Sequence, residues 1–188
     1  MAIVKLRTLF RSSKNKGGRI KKVIVKEIFN QYALYNTWAN EKIIESLSFV
    51  RPELMEKPVE SSFPSLRLTV LHLWETEFVW WQRLHLAENI VFIPQKTEMP
   101  IKTIFSEWKR QSVQLQTWVH NLKDAGLSHV FSYQNSKKEQ FKQPVFQVLL
   151  HVFNHNTYHR GQIITIFHQL GIEKRPATDF ILWSRNAK

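Results

Sequence analysis

HVFNHNTYHRGQ, residues 151–162, places histidines at positions 151, 155 and 159, four apart. A step of four on an α-helix turns the chain by about 400°, so the three imidazoles form one stripe that drifts by about 40° per step. Two readings fit a stripe of this kind. The histidines either recur by chance on a polar helix face, or they grip an ion, since neutral imidazole is the commonest biological ligand for a divalent transition metal. An i, i+4 pair on a rigid helix is a sound start for such a site, and a third ligand must then come from elsewhere in the chain.

His72 is the strongest candidate for that ligand. It lies in LRLTVLHLWETEFVWWQRL, where Leu68, His72, Glu75 and Val79 follow helical spacing among aliphatic and aromatic side chains. A histidine on such a face needs a partner, because a buried polar group left unsatisfied costs about 1–3 kcal/mol. A backbone carbonyl would serve, and so would a metal ion. Trp74, Trp80 and Trp81 in the same segment read as core or interface residues.

Outward from these two segments the chain alternates apolar-periodic runs with punctuation. A first helix is expected over about 23–47, with Ile28, Tyr32, Tyr35 and Ala39 on one face. Pro52 and Pro58 bracket a connection, and Pro64–Ser65 starts the helix that carries His72. After Pro94 and Pro100, Ile101, Ile104, Phe105, Trp108, Leu115, Trp118 and Leu122 mark a third helix that runs to Gly126. Residues 128–143 break the pattern. Val130, Phe131 and Tyr133, a polar NSKK stretch and then Phe141 predict a short hairpin or loose turn. Pro144 suits the first turn of a fourth helix that Gly171 can end. Four long helices with short to moderate connections predict an all-α fold, a four-helix bundle with a hairpin between helices three and four.

The 188 residues suffice for one core, and 24 aromatic side chains (13 Phe, 7 Trp and 4 Tyr) can fill it. With no cysteine in the chain, disulfides and thiolate ligands are excluded, so a metal site must use nitrogen and oxygen. A cysteine-free chain with no apolar run of membrane-spanning length is expected to be cytoplasmic. The net charge of +12 is concentrated at one end: Lys5, Arg7, Arg11, Lys14, Lys16, Arg19, Lys21 and Lys22 all precede the first acid, Glu27. Setting those eight aside leaves 19 basic against 15 acidic side chains, an excess of only +4. Residues 1–22, with a joint at Gly17–Gly18, read as a flexible basic extension before a domain over 23–188. Such extensions contact nucleic acid or anionic surfaces, act as transit-like segments, or are adventitious additions. Any nucleic-acid contact is expected through this extension alone.

NTWAN at 36–40, the lone His72, HNTYHRGQ at 155–162 and RPATDFILW at 175–183 occur here in the order found in a known family. Between about residues 24 and 185 the chain resembles the DinB/YfiT-like superfamily of metal-dependent bacterial proteins. HxxxHRGQ is the specific element; the other stretches are weak singly. The resemblance implies a DinB-type bundle, assembly as a homodimer, and one divalent ion on His72, His155 and His159. His151 is then a neighbour one turn earlier. Gln162 is expected to hydrogen-bond a ligand or bound water. Glu75 either orients His72, acts as a base, or is simply solvated. Arg160, about 100° round the helix from His159, is expected in a salt bridge or an interface contact.

Three neutral ligands leave an ion its full charge and an open position, the pattern of a catalytic site. Zn²⁺ fits tetrahedral nitrogen ligation, and Ni²⁺, Fe²⁺ or Mn²⁺ fit with added waters. The resemblance implies a metal-dependent enzyme acting on small molecules, of the thiol S-transferase, isomerase or hydrolase type, with a low-molecular-weight thiol as co-substrate. The competing expectation is a non-catalytic stress-response or binding protein that keeps a vestigial metal site and touches nucleic acid through its basic end.

Overall fold

A computed structural model describes residues 17–186, with side chains described from Val25 onward. In chain order it contains α1 (Gly17–Leu47), α2 (Pro52–Glu56), α3 (Leu66–Leu84), α4 (Ile101–Asn121), α5 (Asp124–Leu127), β1 (Val130–Gln134), β2 (Gln140–Pro144), α6 (Val145–Gln169) and α7 (Phe180–Asn186). The fold is mainly helical. α1 packs on α4 and α6, and so does α3, so the four long helices lean on one another in a ring.

The local signals act where the sequence places them. At the start of α3, the Ser65 hydroxyl accepts the Leu68 N–H at 3.2 Å, occupying a donor that the first helical turn leaves free. Gly171, just past α6, adopts φ +68° and donates its N–H to the His168 carbonyl at 3.1 Å, a left-handed stop that a side chain would strain. β1 and β2 pair antiparallel with Val130 opposite Pro144 and Gln134 opposite Gln140. In their turn, Asn135 Oδ1 accepts the N–H groups of Lys137 and Glu139, which tightens the hairpin. Pro144 ends β2 and also caps α6, so the strand feeds directly into the histidine helix.

Two expectations for the first helix change. α1 begins at Gly17, inside the segment read as an extension, while residues 1–16 lie outside the described residues and any nucleic-acid contact made by them falls there too. Its inner face carries Phe29, Ala33, Asn36, Ala39, Asn40 and Ile43, whereas Ile28 is 45% exposed. Phe29 wins the core position because it falls in register with Ala33 and Asn36 on the 3.6-residue period.

The core is divided. One apolar cluster joins Ile43 and Leu47, the N-terminal half of α3, Ile104 to Trp108 and Ile163 to Phe167. The other joins Phe29 and Ala33, Leu84, Leu115 and Val119, and Val145 to Phe153. Between them every long helix turns a polar side chain inward: Asn36 and Asn40, Glu77, Ser112, Asn156 and Arg160, all buried. Behind α1, the Tyr35 hydroxyl donates to the Thr178 carbonyl at 2.6 Å, and Phe180 stacks on Tyr32, which ties the C-terminal segment to the bundle. Among the described residues no helix is long and apolar enough to cross a membrane.

Candidate metal centre

α3 and α6 pack side by side and carry three imidazoles to one point. His155 Nε2 lies 3.1 Å from His72 Nε2 and 3.1 Å from His159 Nε2. The three candidate ligand nitrogens all lie within 4.8 Å of one another. Two tetrahedral nitrogens at about 2.0–2.1 Å from zinc would be about 3.3 Å apart, so this spacing suits a shared ion. It suits hydrogen bonding poorly. A neutral ring carries one proton, so His155 Nε2 cannot donate to both neighbours, and among the described residues its buried Nδ1 has no hydrogen-bond partner.

The rings are held in the state a cation needs. Burial, and then the neighbouring His159, push the His72 imidazole down to about 4. Burial first, then His159, His72 and His151, push His155 down to about 3. Burial also lowers His159, against the hydrogen bond to Gln162. Gln162 Oε1 accepts from His159 Nδ1 at 2.7 Å, so the proton sits on Nδ1 and the Nε2 lone pair faces the cluster. The same amide donates to Ser62 Oγ at 2.7 Å, anchoring it to the loop before α3. From that loop Phe63 stacks on His72 with ring centroids 4.1 Å apart and covers one side of the cluster. The donor set therefore fits a divalent transition metal.

The other two candidates stand apart. His151 is exposed, 5.7 Å from His155 between ring centroids, and sits edge-on to Trp80 at 5.3 Å. Glu75 accepts from Gln95 Nε2 at 2.8 Å, and among the described residues it makes no hydrogen bond to His72.

Directly beneath lies the polar layer, the part that sequence reasoning missed. Arg160, expected in a salt bridge or interface, points inward instead and is only 1% exposed. Its Nη1 donates to Asn36 Oδ1 and to Asn40 Oδ1, each at 2.8 Å. Both asparagines pass the polarity on through Nδ2 to Glu77 Oε1, at 2.7 and 2.9 Å. Ser112 donates to Glu77 Oε2 at 2.7 Å, and Asn156, next to His155 in the chain, also donates to Glu77 Oε1. Two asparagines thus bridge a buried cation and a buried anion. Burial still pushes the Glu77 carboxyl above its ordinary range, against these donors and Arg160. The available signal was a carboxylate inside FVWW-type apolar sequence together with Asn36 and Asn40 one turn apart on a core face.

Residues 14–187 match the sequence profile of the DinB family. The chain belongs to the DinB family. It is 27% identical over 154 residues to a protein named Protein DinB from Bacillus subtilis (strain 168), an alignment covering 79% of this chain and 89% of that relative. Membership accords with the helical fold and with a histidine group of the kind that holds a metal ion.

Proposed function

We propose that this DinB-family protein is a metal-dependent enzyme that acts on small molecules, with His72, His155 and His159 holding one divalent ion. The observation that carries the reading is the convergence of three Nε2 atoms around one point, with no carboxylate among them. α1, α3, α4 and α6 are taken as a four-helix bundle of the DinB type, since α1 and α3 each pack against both α4 and α6. In that frame the polar layer fixes the register of the helices below the site, and Gln162 sets the His159 tautomer. Phe63 covers one face of the His72 ring and so limits its movement. A divalent ion held by three neutral nitrogens supplies a strong Lewis acid that lowers the pKa of a thiol or water reaching it. Thiol-dependent transfer, isomerisation or hydrolysis of a small electrophile is the chemistry such a site supports.

The test is metal content, then turnover. Untagged protein should carry a single divalent ion per chain, and the His155→Ala, His159→Ala double variant should lose it. Chelation should abolish thiol-dependent or hydrolytic turnover, and one metal should restore it. Unchanged metal in the double variant would end the proposal; a metal-loaded protein inactive across a broad panel would leave only a binding role.

A further inference from the structure

Two polar atoms on consecutive residues of α6 are left over between the histidine cluster and the polar layer. His155 Nδ1 and Asn156 Oδ1 are both shielded from solvent, and among the described residues neither has a hydrogen-bond partner. Atoms shielded in this way cannot turn to bulk water, so each finds a partner inside the protein or remains a cost. The Asn156 amide is not free to turn over. Its Nδ2 donates to Glu77 Oε1 and, at 3.1 Å, to Asn36 Oδ1. Reversed, the amide would set oxygen against oxygen at both contacts, so Oδ1 is the end left outside the polar layer.

The His155 ring has a matching need. Its Nε2 is turned to His72 and His159, each at 3.1 Å. That nitrogen offers a lone pair to an ion only when the ring proton sits on Nδ1. The result is a donor without an acceptor beside an acceptor without a donor. The Asn156 side chain is also the one group that favours a proton on His155; burial and the three neighbouring histidines oppose it.

We propose that Asn156 is the positioning residue for His155: its Oδ1 accepts the Nδ1–H, and its Nδ2 passes the link on to Glu77. The role of that link in holding an ion rests on the metal reading above; the fixed amide does not. Gln162 does the same for His159 from its tie to Ser62. Two of the three candidate ligands are then held in one tautomer by an amide, one anchored to the loop before α3 and the other to the buried carboxylate. An imidazole whose far N–H is hydrogen-bonded is better oriented and more basic toward a metal. The polar layer thereby reaches the site, since Asn36, Asn40 and Ser112 settle Glu77, and Glu77 settles Asn156.

Two replacements in the full-length chain separate this role from packing. Asn156→Ala removes both ends of the amide and should weaken zinc binding by about 10–100-fold, measured by competition with a chromophoric chelator, and lower the melting point as well. Asn156→Asp keeps the acceptor for His155 but sets a second carboxylate against Glu77. It should lose thermal stability yet bind zinc at least as tightly as the wild type. Zinc affinity that falls with stability in both variants, or in neither, overturns the proposal. A readout on the unaltered chain guards against a variant that fails to fold. In ¹⁵N-histidine NMR of the zinc-loaded wild type, the His155 Nδ1 proton should lie downfield, close to that of His159, whose acceptor is Gln162. A His155 Nδ1 proton far upfield of the His159 one also overturns the proposal. If the wild type takes up no zinc, the metal reading fails by itself and the same spectrum still decides. A proton on His155 Nδ1 then upholds the link to Asn156, and a proton on Nε2 ends it.

Discussion

Replacing Arg160 by Met should destabilise the fold by about 3–5 kcal/mol, the usual cost of removing one member of a buried charged pair. The magnitude follows from what is left behind. Asn36 Oδ1 and Asn40 Oδ1 lose donors at 2.8 Å, and Glu77, fully buried, loses the cation that balances it through them. Each hydrogen bond to a charged group contributes about 1.5–3 kcal/mol, so the two lost bonds alone reach that range. At this chain size the midpoint of thermal unfolding should fall by about 2–4 °C per kcal/mol. Urea denaturation of the wild type, Arg160→Met, Glu77→Gln and the double variant closes a cycle. The double variant should be less destabilised than the sum of the singles, by about 1–3 kcal/mol, because the second change removes a group that the first stranded. The loss should also depend on pH in a defined direction. Without Arg160, burial drives the Glu77 carboxyl further above its ordinary 4.5, so the folded chain takes up a proton that the unfolded chain does not. The raised pKa makes stability recover as pH falls toward 4.5, and the deficit of Arg160→Met should narrow between about pH 7 and pH 5. A deficit below about 1 kcal/mol, with additive singles, would refute the bridged-pair account.

Acid should act on the histidine cluster in the opposite sense. The folded imidazoles of His72 and His155 are pushed to about 4 and about 3, below the ordinary 6.5, so the metal-free unfolded chain protonates first. Stability of the metal-free protein is then complete above 6.5 and lost as pH falls toward 4 and 3, which circular dichroism melts across that window would detect. Bound metal should survive below pH 6.5 for the same reason, and complete release already at pH 6 would contradict the geometry. Gln162→Leu should weaken metal affinity by about 10–100-fold without unfolding the protein, measured by competition with a chromophoric chelator. Gly171→Ala should cost about 1–2 kcal/mol from the left-handed backbone alone, since a Cβ there meets nothing within 4 Å; an unchanged melting point would show that α6 ends differently.

The features legible in the sequence are local in origin. Helical period, the Ser65 cap, the Gly171 stop and the polar break at NSKK all act over one or two turns, so α3, α6 and the hairpin are legible in order and nearly in extent. The His155–His159 pair is likewise a property of one helix, and His72 was found as a polar residue that needed a partner. How the helices are set against each other is fixed only by their packing. Ile28 and Phe29 are equally apolar neighbours, and packing selected Phe29 for the core. Arg160 is expected from the sequence in a salt bridge or an interface contact; only the alignment of four helices at one level brings it to Glu77 through Asn36 and Asn40. Glu75 had the spacing to serve His72 but turns to Gln95 instead. Arg83 is one more cation in a basic chain until the β1–β2 hairpin folds Tyr133 against it. Periodicity says which face of a helix turns inward, because that follows from 3.6 residues per turn. It does not say which residue of the next helix lies opposite, because that depends on side chains from all four helices filling one shared volume.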